Sequence, residues 1–209
     1  MDFEILYEAL HNVLGDEGEF VSYDAARIRV LGVCYDIRHA LMGDREIEFV
    51  DNGMNPEKMK WMSKITPEKN VYLKINVLWP EMLFVIMALN DFVRLYARKK
   101  AKKSYDLMLN KQTVWNEEIV HVRVLQAAVA KCIKETVTEA SFRRVMNLMN
   151  KDYTWVDGYA TQYLDILNCR FLNMNSEKRL KSIPTMAKRL AEQGDEYRQV
   201  KIEIGRAHV

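Results

Sequence analysis

The sequence predicts an α+β chain that is predominantly α-helical, a helical bundle carrying a small two-stranded β element. Three observations carry that expectation. Apolar residues recur at helical spacing over most of the chain, as in Leu6, Leu10, Val13 and Leu14. Charged and apolar residues alternate in the short run REIEFVD at 45–51, the period-two pattern of a strand. A second run, VYLKINVLW at 71–79, is rich in β-branched and aromatic residues.

Taken in order, residues near 3–14 form an amphipathic helix, and Gly15 stops it. Ser22 caps a second helix with a body from about Tyr23 to Met42. Gly43 supplies its left-handed stop. The first strand follows, with Ile47 and Phe49 on one face, and Asp51-Asn52-Gly53 is a turn signal. Asn55 and Pro56 open a short helix around PEKMKWMSK. The link to the second strand therefore contains a helix and is not a simple hairpin loop. Pro80 starts a long helix over roughly 80–102, whose run MLFVIMAL at 82–89 reads as the centre of a buried helix. Further helices are expected near 113–136, 138–150, 154–173 and 183–202.

The bulk numbers narrow the classes. A chain of 209 residues, 49% of them hydrophobic, has enough apolar surface for a real core. Its 31 basic and 29 acidic residues leave a net charge of only +2. That argues against a dedicated nucleic-acid binder, which carries a strong basic excess, and against intrinsic disorder. The cysteines, Cys34, Cys132 and Cys169, are odd in number and far apart. They read as reduced thiols of a cytoplasmic protein, not as a disulfide framework or a zinc site. The first residues carry acids where a secretion signal carries lysines. The most apolar run falls far short of the roughly 20 residues that span a bilayer, so no membrane association is expected.

Four segments, YDIRHALMGDREIEFVDNG, NVLWPEMLFVIMALNDFVRLY, LMNKDYTWVDGYATQYLDILN and KRLAEQGDEYRQVK, resemble a family of uncharacterised bacterial proteins known only as a domain of unknown function. The resemblance runs from near the start to about Lys201 and carries no activity, so it transfers no catalytic residue. It implies further residues ahead of FEILYEALH, and hence truncation at the N-terminus. The last six residues, IGRAHV, correspond to codons that match a common sequencing adapter. The expectation is thus a single mainly helical domain at 1–203 and a non-native tail at 204–209, with no functional weight on His208.

No Gly-rich phosphate loop, nucleophile elbow or H-E-x-x-H motif is present. One recurrence stands out. His11, His39 and His121 each follow an acid by three residues, in Glu8–His11, Asp36–His39 and Glu118–His121. That spacing sets both side chains on one helix face, as in the Glu-x-x-His ligands of di-iron bundles. At about 100° per residue, Glu8 lies opposite the apolar face of its helix. Asp36 and His39 lie on a stripe with Arg29 between two apolar faces, and Glu118 falls among Val114, Leu125 and Val129, so these two pairs are the better candidates, with Glu118 and His121 as the metal ligands. Ordinary ion pairs on helix faces are the simpler reading.

On the long helix Asn90, Asp91, Arg94 and Arg98 share a stripe. With Arg29, Asp36, Arg38 and His39 they are expected to form an internal network, because buried charges must be paired. A polar ligand pocket of Asp36, Arg38, His39, Asp91 and Arg94 is the sharper alternative. Asp36 in particular has Val33, Ile37 and Leu41 on one side and Ile28, Tyr35 and Met42 on the other. It is expected inside the fold, paired with Arg29, Arg94 or Arg98. The basic run RKKAKK at 98–103 reads as a solvated helix end that complements the macrodipole. Trp155, Tyr159, Tyr163 and Ile166 form an aromatic stripe that reads as core.

The functional expectation is a non-catalytic protein-interaction or self-association module. It needs no cofactor and has a protein partner or a second copy as its ligand. The rival is a metal- or ligand-binding protein or enzyme centred on Asp36, His39, Glu118 and His121. Convergence of those four residues in one pocket separates the two.

Overall fold

A computed structural model describes residues 2–101, 115–150 and 161–192. Among the described residues it is predominantly helical, with eight α-helices and one two-stranded antiparallel sheet. The helices are α1 (Phe3–Leu14), α2 (Asp24–Leu41), α3 (Pro56–Met62), α4 (Trp79–Lys100), α5 (Glu117–Thr136), α6 (Glu139–Met149), α7 (Thr161–Leu172) and α8 (Ser176–Ala191). The strands are β1 (Ile47–Asp51) and β2 (Lys69–Leu73).

Helix α4 is the axis of the helical body. Every residue from Leu83 to Leu89 is buried, and so are Phe92, Val93, Tyr96 and Ala97, so this helix is covered on all sides. It touches α1, α2, α5, α6, α7 and α8. Helix α1 also packs on α2 and α5, while α8 packs on α6 and α7. Each fully buried Phe or Leu here adds about 1.5–3 kcal/mol relative to an exposed one.

Local chemistry sets the ends. Asp2, Asn55, Asn116, Thr138 and Asn175 cap five helices by accepting backbone N–H bonds in the first turn. Two helix starts are closed differently from the sequence reading. Ser22 caps nothing: a 3-10 turn at Val21–Tyr23 leads directly into α2, and Tyr23 N–H donates to the Phe20 carbonyl at 2.7 Å. Helix α8 starts seven residues ahead of the expected 183, at the Asn175 cap, and carries Pro184 in its interior. The ring removes the bond to the carbonyl of Leu180, a residue 48% exposed where water can take over. Residues 102–114, 151–160 and 193–209, with Lys102, Lys103, Trp155 and Tyr159, lie outside the described residues.

The strands pair in the register Ile47↔Leu73, Phe49↔Val71 and Asp51↔Lys69. Strand β2 ends earlier than the sequence suggests, because Ile75, Val77, Leu78 and Trp79 leave the ladder to pack against the helical core. The sheet and α3 form an arm. From Leu41 to Trp79 no residue is buried.

Candidate interaction surface on the second helix and the arm

The arm is fixed to α2 at the stretch from Tyr35 to Glu46. Gly43, at φ +84°, closes the helix. Its N–H donates to the Ala40 carbonyl at 3.1 Å, and that of Asp44 to the His39 carbonyl at 2.9 Å, the paired bonds of a Schellman stop. The side chains repeat the tie. His39 Nδ1 and Asp44 Oδ2 share a hydrogen bond of 3.1 Å, and the His39 ring leans on Tyr35 with centroids 4.3 Å apart. Arg45 donates from Nη2 and Nε to Asp36 Oδ1 at 2.8 and 3.2 Å.

Asp36 does have an arginine partner, but it is Arg45, and the pair sits at the surface with about a third of each side chain exposed (34% for Arg45, 32% for Asp36). The three expected partners turn elsewhere. Arg29 donates to Asp165 at 2.7 Å and to the Thr161 carbonyl at 3.1 Å, and lies 3.6 Å from Glu81. Arg94 pairs with Asp91 on its own helix, and Arg98 is exposed. Arg38 is exposed as well. The expected single network is thus several separate ones. Neighbours along a helix such as Asn90 and Asp91 point about 100° apart and meet different elements.

The reason Asp36 is not interior is that α2 is apolar on two sides and the fold covers one. Ala26, Val30, Val33, Cys34, Ile37 and Ala40 are buried. The other side is bare: Val21 is 72% exposed, Ile28 65%, Tyr35 58% and Met42 62%. Ile28 and Tyr35 stand seven residues apart on one stripe of α2, with Val21 in the entry turn before it and Met42 at its C-cap. Gly32, between Ile28 and Tyr35, has no heavy atom within 4 Å of where a Cβ would stand. The arm repeats the pattern. Ile47, Phe49, Val71 and Leu73 share one face of the sheet, with Phe49 62% and Val71 59% exposed. Sequence reasoning named Ile28, Tyr35 and Met42 but took their side of the helix as covered, since apolar periodicity does not say what covers a face.

Glu118 lies elsewhere, in a polar cleft of about 230 Å³ lined also by His11, Glu19, Tyr96 and Lys99. Asp36, His39 and His121 are not among its walls. Burial lowers the pKa of His11, and the charge of Arg27 lowers it further. The hydrogen bond from Lys99 holds the Glu19 carboxyl below its usual range, and that ion pair measures 2.8 Å. Among the described residues no group of three or more His, Cys, Asp and Glu side chains is placed to hold a metal ion. Nor is any helix among them long and apolar enough to cross a membrane.

A family model covers this whole arrangement, from residue 1 to residue 208, under the description Domain of unknown function (DUF6904). The chain belongs to that family. The match includes the arm, the stripe and residues 204–208 of the C-terminal end. No curated protein and no solved structure matches the chain. The DUF6904 family model therefore brings no residue roles with it, and the site rests on its own geometry.

Proposed function

We propose that this chain is a non-catalytic self-association module. The apolar stripe of α2 and the apolar face of the arm are covered by a second copy of the same chain. The observation that carries the reading is the stripe itself: Ile28 and Tyr35 on α2, with Val21 in the turn before it and Met42 at its C-cap, all more than half exposed, while the opposite side of the helix is core. Single exposed apolar residues are ordinary, but a contiguous set is an interaction surface.

Three considerations favour a second copy as the occupant. Helix stripes of this spacing are self-complementary, and Gly32 leaves room for a close backbone approach. Seven apolar residues of the stripe and arm, Val21, Ile28, Tyr35, Met42, Ile47, Phe49 and Val71, are each at least 45% exposed, a patch of the kind that marks an interaction surface. The charges also suit self-pairing. On the apolar face Asp51 of β1 stands opposite Lys69 of β2, and a two-fold axis along the strands sets the Asp51 edge of one copy over the Lys69 edge of the other. With a net charge of +2, two copies repel each other little. A lone two-stranded sheet is marginal in water unless its apolar face is packed, so the arm gains its stability from the same contact.

Amide hydrogen exchange at two protein concentrations tests this reading. Protection of 46–51 and 69–74 rises as concentration is raised through the association range, while α4 stays unchanged. Arm amides that exchange at the same rate across a hundredfold concentration range contradict it.

A further inference from the structure

The geometry points to a second site, a cleft between α4, α5 and α6 that takes a small monocarboxylate with a short apolar tail, gripped by Arg123. This site is separate from the stripe and the arm and does not depend on self-association.

The cleft has a volume of about 220 Å³, above the roughly 150 Å³ of an apolar cavity that takes benzene. Its walls are mainly apolar: Ile86 from α4, Ala127 and Ala130 from α5, Met146 and Met149 from α6. The polar groups gather at one end. Arg123 Nη1 donates to Asn90 Oδ1 at 2.6 Å and to Gln126 Oε1 at 2.7 Å. Both amides are locked in turn. Gln126 Nε2 donates to the Ile86 carbonyl at 2.9 Å and to Asn90 Oδ1 at 3.1 Å, and Asn90 Nδ2 donates to the Met149 carbonyl at 3.2 Å. The guanidinium is therefore held in place by neutral groups.

Two features make this a ligand site more than a structural tie. First, guanidinium has five N–H donors, and both bonds use Nη1. Nη2 and Nε, the edge that binds a carboxylate through two parallel bonds, have no hydrogen-bond partner among the described residues. Second, among the described residues no acid compensates the charge. Burial lowers the Arg123 pKa with no described acid acting to restore it, whereas a half-buried cation is ordinarily paired with one. A single cation with two free donors and an apolar wall matches a monoanion with a hydrocarbon end. Phosphate, a dianion needing more donors, fits poorly.

Titration calorimetry of the full chain with 4-methylpentanoate, 4-methylpentanamide and inorganic phosphate tests the assignment. The carboxylate binds at least tenfold tighter than the amide and than phosphate. Arg123→Gln removes that preference. Ala130→Leu, which fills the cleft while leaving Arg123 and its amides intact, weakens the carboxylate at least tenfold and keeps the parent melting temperature, so the proposal stays testable if Arg123→Gln fails to fold. No heat of binding with the parent, equal binding of carboxylate and amide, tighter binding of phosphate, or carboxylate binding undiminished in Ala130→Leu overturns it.

Discussion

At Glu81 the carboxylate is part-buried, accepts a 2.8 Å bond from Asn168 Nδ2 and lies 3.6 Å from Arg29. Burial nevertheless dominates and raises its pKa above 4.5, against the lowering effects of Asn168 and Arg29. The folded state then holds the proton more tightly than the unfolded chain does. Stability from this group is fully present below the unfolded pKa and is lost as pH rises through the folded one. Glu81→Gln removes the titration and leaves Arg29 its bonds to Asp165 and Thr161. In urea melts the variant gains on the parent between pH 4 and pH 7; a parent that gains on the variant over that interval contradicts the assignment. The surface pair Asp36–Arg45 behaves differently. An ion pair this exposed contributes about 0–1 kcal/mol, so Asp36→Ala costs less than about 1 kcal/mol, not the 3–5 kcal/mol of a stranded buried charge. A loss of 3 kcal/mol in a urea melt places Asp36 in the interior after all. The presence of an arginine partner was legible in the sequence; its identity was not, because the choice of Arg45 depends on which side of α2 remains open.

Among the elements, the stop of α2 is the joint from which the arm leaves. Gly43 sits at φ +84° with open space where a side chain would stand, so the cost of a side chain is in the backbone alone. Gly43→Ala therefore destabilises by about 1–2 kcal/mol, and Gly43→Asn by less, since Asn tolerates the left-handed region. Equal stability of all three proteins in thermal melts contradicts this. The stop was readable because its cause is local: a glycine just past the last periodic residue. The Asn55 cap was legible for the same reason, and Pro80 marked the start of α4 to within one residue, its first being Trp79. The beginning of α8 was not legible. Pro184 interrupts its pattern beside the expected start at 183, whereas the true first turn is closed by the Asn175 cap. The end of β2 was missed because the apolar run continues to Trp79 while its pairing partner stops.

For the molecule as a whole, the core around α4 was legible and the surface was misread. A run such as MLFVIMAL is apolar in every direction, so it has to be central. Helix α2 is apolar in two directions, and the sequence alone treats both as interior. The fold covers Val30, Val33 and Ile37 and leaves Ile28, Tyr35 and Met42 in water. The candidate site was therefore present in the sequence as residues but not as a surface, since exposure depends on where every other helix packs. Sedimentation equilibrium of the parent beside the double variant Ile28→Asp/Tyr35→Glu measures the consequence directly. The account predicts a concentration-dependent dimer for the parent and a folded monomer, with the parent's helical circular dichroism, for the variant. A parent that sediments as a monomer at every concentration up to about 100 μM, well above the 1 μM dissociation constant that corresponds to about −8 kcal/mol, would contradict it.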